Sequence, residues 1–527
     1  MKKKLLTGVL VASLVLSGVL SFAGCGNRST KPTSSAGEIT ADDIAKAKHV
    51  ADLIDAIYVQ KATATTEADC RAAKAAWDDL TDVQKQLVEG ENADPDYFGR
   101  DTGNAAKDDP LNSDKACEKE ILVVSFGTSF NESRAEDIGG IEKAIAAAFP
   151  DYTVRRAFTA QIIINHIFAR DGEKIDNVEE ALERAKKSGV KELIVQPTHL
   201  MHGAEYDELT ETLSGYKSSF ETIKIAEPLL GEVGADKTVT NPDKKAVAEA
   251  AVKNVLVSNN IESIAEAEKQ KKAIVFIGHG TSHSAKVTYA EMQNVMNELG
   301  YNNVFIGTVE GEPEETSCEN VIKAVKAKGY EGVIMAPLMV VAGDHANNDM
   351  AGDDADSWYS MFAAAGFNDT VCLISGLGRI PAVQDIYVSH TSAATGVAPK
   401  KAEADGSSLS KGEYKAYFKT DSTMFRVNEA DKGLGVLTVN DNGKMTIKVN
   451  LASKNIVKLY AGKAADAEND KAGQIEPIES SVTYADGSKE DVYAFEIPVP
   501  ALDKDFDVAI LGTKGKWYDH VCSVKLA

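Results

Sequence analysis

The chain has 527 residues, 26% of them charged, with 57 basic against 80 acidic side chains and a formal net charge of −23. That length exceeds one ordinary domain and predicts about three or four, while the acidic balance excludes nucleic acid as a natural partner. The 6 cysteines are widely spaced with no CxxC pair, which excludes a disulfide framework.

Residues 1–24 read as a signal peptide. Lys2, Lys3 and Lys4 form a basic n-region, residues 5–20 an apolar h-region, and Phe22-Ala23-Gly24-Cys25 a small-residue cleavage site. The pattern resembles a bacterial lipobox, which implies a lipid on Cys25 and attachment to the membrane at its extracytoplasmic face. Cleavage removes three lysines and moves the formal charge from −23 to −26. Residues 25–40, rich in Ser, Thr, Gly and Lys, read as a tether. Beyond the signal no segment approaches the ~20 apolar residues of a membrane span.

Residues 41–92 carry a helical pattern, with Val50, Leu53, Ile54 and Ile57 on one face and Ala73, Ala76, Trp77 and Leu80 on another. They predict a helical hairpin module. It resembles a small spacer found in secreted bacterial proteins, and no chemistry is assigned to it. Residues 93–117, with Asn, Asp, Gly and Pro among few apolar positions, read as a linker.

From Ile121 onward, continuous aliphatic runs alternate with amphipathic helical stretches, the mark of βα units around a parallel sheet. Strands are predicted at 121–124, 152–155, 193–196 and 223–225, then at 273–277, 303–306, 332–336 and 371–374. Cys372 reads as a small buried hydrophobe of the last. Val124-Ser125-Phe126-Gly127-Thr128-Ser129 aligns with Ile277-Gly278-His279-Gly280-Thr281-Ser282, and Ile194-Val195-Gln196-Pro197 with Ile334-Met335-Ala336-Pro337. After each proline the chain runs six residues to Gly203 or Gly343, so Glu205 falls opposite His345. Two similar α/β lobes, 118–260 and 261–394, are therefore expected from an internal duplication. A linker follows at 395–411. Period-two patterning, as in Met445, Ile447, Val449 and Leu451, then predicts an all-β sandwich of about seven strands at 412–527.

Ligands of open α/β sheets bind beyond the carboxyl ends of the strands. Three strand ends of the second lobe carry one metal-competent side chain each: His279 between two glycines, Glu310 in Gly307-Thr308-Val309-Glu310-Gly311, and His345 in Ala342-Gly343-Asp344-His345. Two imidazoles with a carboxylate suit borderline divalent metals better than an iron–sulfur cluster or a closed structural zinc. Taken singly, each is a turn residue, a solvated charge or a helix cap; together at equivalent strand ends they predict a site.

At these residues, and at Val123-Val124-Ser125-Phe126-Gly127-Thr128-Ser129, Arg155-Arg156-Ala157-Phe158-Thr159, Gln196-Pro197-Thr198-His199 and Gly278-His279-Gly280-Thr281, the sequence resembles the anaerobic-type sirohydrochlorin cobaltochelatases. These are relatives of class II ferrochelatases with two α/β lobes. The resemblance covers residues 118–390. It implies that His279, Glu310 and His345 bind the metal and catalyse its insertion into a tetrapyrrole, with Co2+ or Fe2+ as the substrate metal and no organic cofactor. A polycarboxylate macrocycle needs cations, and Arg134, Arg155 and Arg156 are candidates for bidentate forks. Phe126, Phe130 and Phe158 are candidates for packing on its face, Glu205 for a further contact. His283 would add metal affinity at the pocket mouth; His199 and His202 are further candidates, His202 at a position expected to be structural. Trp517 and Tyr518 read as packing of the β domain, whose ligand is not fixed. A homo-oligomer is compatible with the pattern. The alternative reading is a surface haem, tetrapyrrole or metal-binding protein that keeps the chelatase cleft.

Overall fold

A computed structural model describes residues 39–527 apart from 116, 401–408, 410, 411, 441–443, 469, 472 and 485. The signal peptide, Cys25, most of the tether and most of the 395–411 linker lie outside the described residues, as do Asp441, Asn442 and Gly443 of a predicted hairpin turn. Among the described residues no helix is long and apolar enough to cross a membrane.

The first lobe contains strands β1 (Lys119–Ser125), β2 (Thr153–Phe158), β3 (Glu192–Pro197) and β4 (Thr222–Ile225). The second contains β5 (Lys272–Gly278), β6 (Val304–Thr308), β7 (Gly332–Pro337) and β8 (Asp369–Cys372). Both sheets are parallel, and their orders, β2-β1-β3-β4 and β6-β5-β7-β8, are the same. The duplication read from sequence is therefore a duplication of topology. Strands β1, β3, β5 and β7 are buried on both faces, which is why their sequences are unbroken apolar runs. Their side chains still alternate between two cores. Ile121, Val123 and Ile194 share a cluster with Ile274, Phe276 and Ile334 of the other lobe, whereas Leu122, Val124, Leu193 and Val195 pack in a cluster belonging to the first lobe alone.

Two helices cross between the lobes. Pro242–Ser258 starts with a proline behind the Asn241 cap and packs on Val287–Glu298 of the second lobe. Lys244 there meets Glu291 at 3.2 Å with both side chains buried. Pro381–Thr395, the last helix of the second lobe, lies on the first. Tyr387 Oη donates to the Thr198 carbonyl at 2.9 Å, and Thr391 Oγ1 to Gln196 Oε1 at 2.8 Å.

The hairpin Ala41–Ile57 and Thr66–Asp78 buries Val50, Ile54, Ile57, Ala73 and Trp77, as patterned. It is docked rather than free, since its core continues into Ala169 and Phe168 on the first lobe. Asn165 Nδ2 donates to the Ile57 carbonyl at 2.8 Å, and the His166 ring stacks on Tyr97 at 4.2 Å. The segment expected as linker 93–117 lies against the lobe too, with Ala93, Phe98 and Asp108 buried.

The C-terminal domain is all-β as expected, with nine strands among the described residues where about seven were expected. These strands, from Gly412–Thr420 to Trp517–Leu526, form one continuous antiparallel sheet. Its apolar side chains, among them Phe425, Leu437, Ile447, Phe495, Val508 and Val524, gather in one cluster. Among the nine strands, Gln474–Ile475 is too short to show a period in sequence, and Ile478–Thr483 is mostly exposed. Trp517 is buried against Ala467 and Ala509, while Tyr518 is exposed.

Candidate active site

Strand β5 is flanked by β6 and β7, so the three loops leaving their carboxyl ends are neighbours. The pairing of β5 with β6 runs on past the strands. Val309 N–H donates to the Gly278 carbonyl and Glu310 N–H to the His279 carbonyl, each at 2.9 Å. This fixes Glu310 beside His279. Gly280 has φ +96°, and a Cβ there would lie 2.9 Å from the Glu310 Cβ. Only glycine lets the two loops close in this way. Gly280 N–H is held by Tyr289 Oη at 2.9 Å.

His345 arrives differently. After β7, Ser133 Oγ donates to the Ala342 carbonyl at 2.7 Å and Ala342 N–H to Asp137 Oδ2 at 2.9 Å. The first lobe thus grips the loop just before His345. His345 then opens a π-helical turn, His345–Met350, a backbone form enriched at functional sites.

The His279 and His345 rings stand edge to face with centroids 4.4 Å apart. His279 Nδ1 lies 2.8 Å from the Gly280 carbonyl oxygen. A carbonyl only accepts, so that nitrogen carries the proton and Nε2 keeps its lone pair. His345 Nδ1 lies 2.7 Å from Asp349 Oδ2. The hydrogen bond to Asp349 raises the His345 pKa above that of an ordinary imidazole; burial opposes this, and the charges of Asp349, Asp344 and Glu310 add to it. With Nδ1–H donating to Asp349, Nε2 of the neutral ring is again free, the usual arrangement behind a metal-binding imidazole. His279 and Glu310 are exposed and His345 half-buried. Among the described residues no three His, Cys, Asp or Glu side chains close into a metal cage. What the loops offer is two open imidazole nitrogens with a carboxylate nearby.

The matching loop of the first lobe carries Phe126, 47% exposed, where the second has His279. Gly127 repeats the left-handed turn of Gly280, at φ +103°. Thr128 meets the other lobe, since a Cβ on Gly343 would lie 3.2 Å from its Oγ1. An exposed aromatic thus stands on the loop that touches the His345 loop. Phe130 is half-buried behind it. Phe158 is fully buried beneath Gly127 and is core, contrary to its reading as a macrocycle contact. Glu205 is exposed at the first turn of Ala204–Ser214, and Asp207, two residues on, reaches His283 Nε2 at 3.3 Å across the lobes.

The three arginines expected at the cleft are not there. Arg134, Arg155 and Arg156 are at most 1% exposed. Arg156 binds Asp108 and Glu142 at 2.6–2.8 Å, and Arg134 binds Asp108 at 2.6 Å and Glu173 at 3.2 Å. Arg155 pairs with buried Glu120 at 3.1 Å, whose carboxyl burial pushes up to about 7 against the pull of Arg155. All their charge is spent inside the lobe. His199 is also buried, with no hydrogen-bond partner on either ring nitrogen among the described residues, and His202 is tied to Glu227 at 2.6 Å.

Sequence reading missed Asp349, Asp137, Asp108 and Arg100. Asp349 was visible as a carboxylate four residues after a candidate ligand on a helical turn. Arg100, from the supposed linker, reaches Asn348 Oδ1 at 3.3 Å and Asp344 Oδ1 at 3.8 Å, the residues bracketing His345. Nothing in its local sequence marks it.

A family model described as cobalt chelatase (CbiK) matches residues 119–396. Sirohydrochlorin cobaltochelatase of Salmonella typhimurium is 34% identical over 285 residues, 54% of this chain and 99% of that protein. Sirohydrochlorin cobaltochelatase CbiKC of Nitratidesulfovibrio vulgaris is 28% identical over 279 residues, 53% of this chain and 90% of that protein. Among solved structures, SirB from Bacillus subtilis with Fe3+ covers 52% of this chain and 94% of its own, at a TM-score of 0.37 and 15% identity.

Proposed function

The chain belongs to the cobalt chelatase (CbiK) family, and from that premise we propose that it inserts a divalent metal, Co2+ with Fe2+ as the second candidate, into sirohydrochlorin or a related tetrapyrrole. It is a tetrapyrrole metallochelatase. The observation that carries the residue assignment is the pair of imidazoles, His279 and His345, each with Nδ1 engaged and Nε2 open.

Insertion requires a metal held outside the macrocycle plane by ligands that give it up, and two bases for the departing pyrrole protons. In our reading His279 is the chief base and a ligand, His345 the second ligand, and Glu310 compensates charge and accepts a proton. Neutral imidazole binds a borderline divalent ion without the near-permanent hold of thiolate. Phe126 supplies an apolar wall for the flat substrate on the opposite lobe. Asp137, by holding Ala342, keeps the His345 loop where the ring can reach it.

The experiment is incubation of the purified chain with sirohydrochlorin and Co2+ while the absorption spectrum is followed. Catalysis changes the spectrum over many turnovers, and His279→Ala reduces the rate by ~10²-fold or more with the thermal transition preserved. A change that saturates at one equivalent of protein supports the binding-protein reading instead. Residues 1–25 further lead us to propose a lipid anchor on Cys25 and an extracytoplasmic site of action. Cys25→Ser should release the protein from the membrane fraction, and a variant that stays there overturns the anchor.

A further inference from the structure

A carboxylate-bearing macrocycle approaching a chain of net charge −23 needs cations at the cleft, and burial removes Arg134, Arg155 and Arg156 from that role. Arg379 is committed to Asp137 and Glu136 at 2.9 Å and to Glu132 at 3.6 Å. Lys286 is paired with Glu312 at 3.5 Å. Arg100 is different. Its side chain is 35% exposed, and among the described residues its guanidinium has one hydrogen bond, a 3.3 Å contact to the neutral amide oxygen of Asn348. The nearest carboxylate, Asp344, is 3.8 Å away.

Its backbone is nevertheless fixed. Arg100 N–H donates to the Asp96 carbonyl at 3.0 Å, Glu132 N–H to the Thr102 carbonyl at 2.8 Å, and Asn131 Nδ2 to the Gly103 carbonyl at 3.3 Å. A segment pinned to the first lobe thus carries a loosely held guanidinium to the rim of the second, within one helical turn of His345. Charge-assisted forks to carboxylate are about twice as strong as neutral hydrogen bonds, so an incoming carboxylate displaces the Asn348 contact. Arg100 lies outside the matched residues 119–396; the contribution is particular to the extra N-terminal module.

We propose that Arg100 binds a peripheral carboxylate of the tetrapyrrole at the His345 side of the cleft, so that the N-terminal module completes the substrate site. The inference rests on the chelatase reading above. Arg100→Gln keeps an amide donor within reach of Asn348 and removes the charge. Its affinity for metal-free sirohydrochlorin, measured by fluorescence quenching of the whole chain, should fall about five- to tenfold, with KM for the macrocycle rising alike while KM for Co2+ and kcat hold. Arg100→Lys should recover part of the loss. Binding of the fully esterified macrocycle should be the same in all three proteins. An Arg100→Gln chain that binds sirohydrochlorin within twofold of the parent overturns the proposal, and so does an equal loss for the ester, which marks a packing role. If the parent neither binds nor metallates sirohydrochlorin, the chelatase reading fails first and takes this inference with it.

Discussion

Asp108 and Arg156 meet through both carboxylate oxygens, at 2.6 and 2.8 Å, with neither side chain more than 1% exposed. Arg134 Nε takes the same carboxylate at 2.6 Å. One acidic residue from a segment without secondary-structure pattern therefore bridges two guanidiniums inside the first lobe, and Glu142 and Glu173 supply the further negative charge. Burial pushes the Asp108 carboxyl up, but the two arginines pull it further, to a value below the ordinary one. Removing one member of such a cluster strands the others, at ~3–5 kcal/mol. Asp108→Ala should lower the urea midpoint accordingly, and a loss under ~1 kcal/mol, the range of an exposed pair, would show that water or Glu173 replaces it.

Asp349 orients His345 and raises its pKa, so the ring stays protonated, and unable to ligate, to a higher pH than a free imidazole. Insertion should therefore fail on the acid side before an unperturbed histidine would dictate. Asp349→Asn should move that acid limb to lower pH, yet weaken metal use at neutral pH about ten- to a hundredfold through loss of orientation. Rate against Co2+ concentration at several pH values reads both effects.

Gly280 and Gly127 hold matched left-handed turns but have different neighbours. Alanine at 280 meets the Glu310 Cβ at 2.9 Å, whereas at 127 it meets the Phe158 ring at 2.5 Å. Each should cost ~1 kcal/mol or more in backbone strain alone. Only Gly280→Ala should also cut insertion, by about tenfold, because it displaces Glu310, to which we assign charge compensation and proton transfer. Equal activity loss in both, at matched stability, would argue against the Glu310 role.

Acid should weaken the fold through two histidines. Burial pushes His166 and His199 down to about 4 from an ordinary 6.5. Both are neutral in the folded chain, while the unfolded chain takes up the protons first. Their contribution is complete above pH 6.5 and is lost as pH falls from there toward 4, by up to ~3 kcal/mol each. Thermal midpoints measured from pH 7.5 to 4.5 should decline, and His166→Gln should flatten part of the slope.

The strands of the two lobes were legible because parallel central strands must be apolar on both faces, and the duplication repeated the signal, whereas their order in each sheet came from the structure. His279, Glu310 and His345 were legible because loops at adjacent strand ends meet by topology alone. The roles of Arg134, Arg155 and Arg156 were not, since their burial depends on Asp108, Glu142 and Glu120, carboxylates whose pairing is a property of three-dimensional packing. Asp108 in particular sits among Asn, Asp, Gly and Pro, where composition predicts a solvated linker. The hairpin's faces could be read from period, but its docking on Phe168 and His166 could not, because the receiving surface belongs to a helix more than a hundred residues away from Ile57.

The crossed helices make the two halves a laced pair. Pro381–Thr395 closes the sheet it follows only by leaving it, and the half-chain 118–260 without it would bare the backbone oxygens and apolar floor that Tyr387 and Val383 now cover. Cutting the protein at the obvious seam between repeats should yield two insoluble pieces rather than two domains, and co-expression of those pieces should restore a soluble whole. Any hinge motion that widens the cleft must then proceed with both helices still threaded, which limits the opening to a parting of the loops.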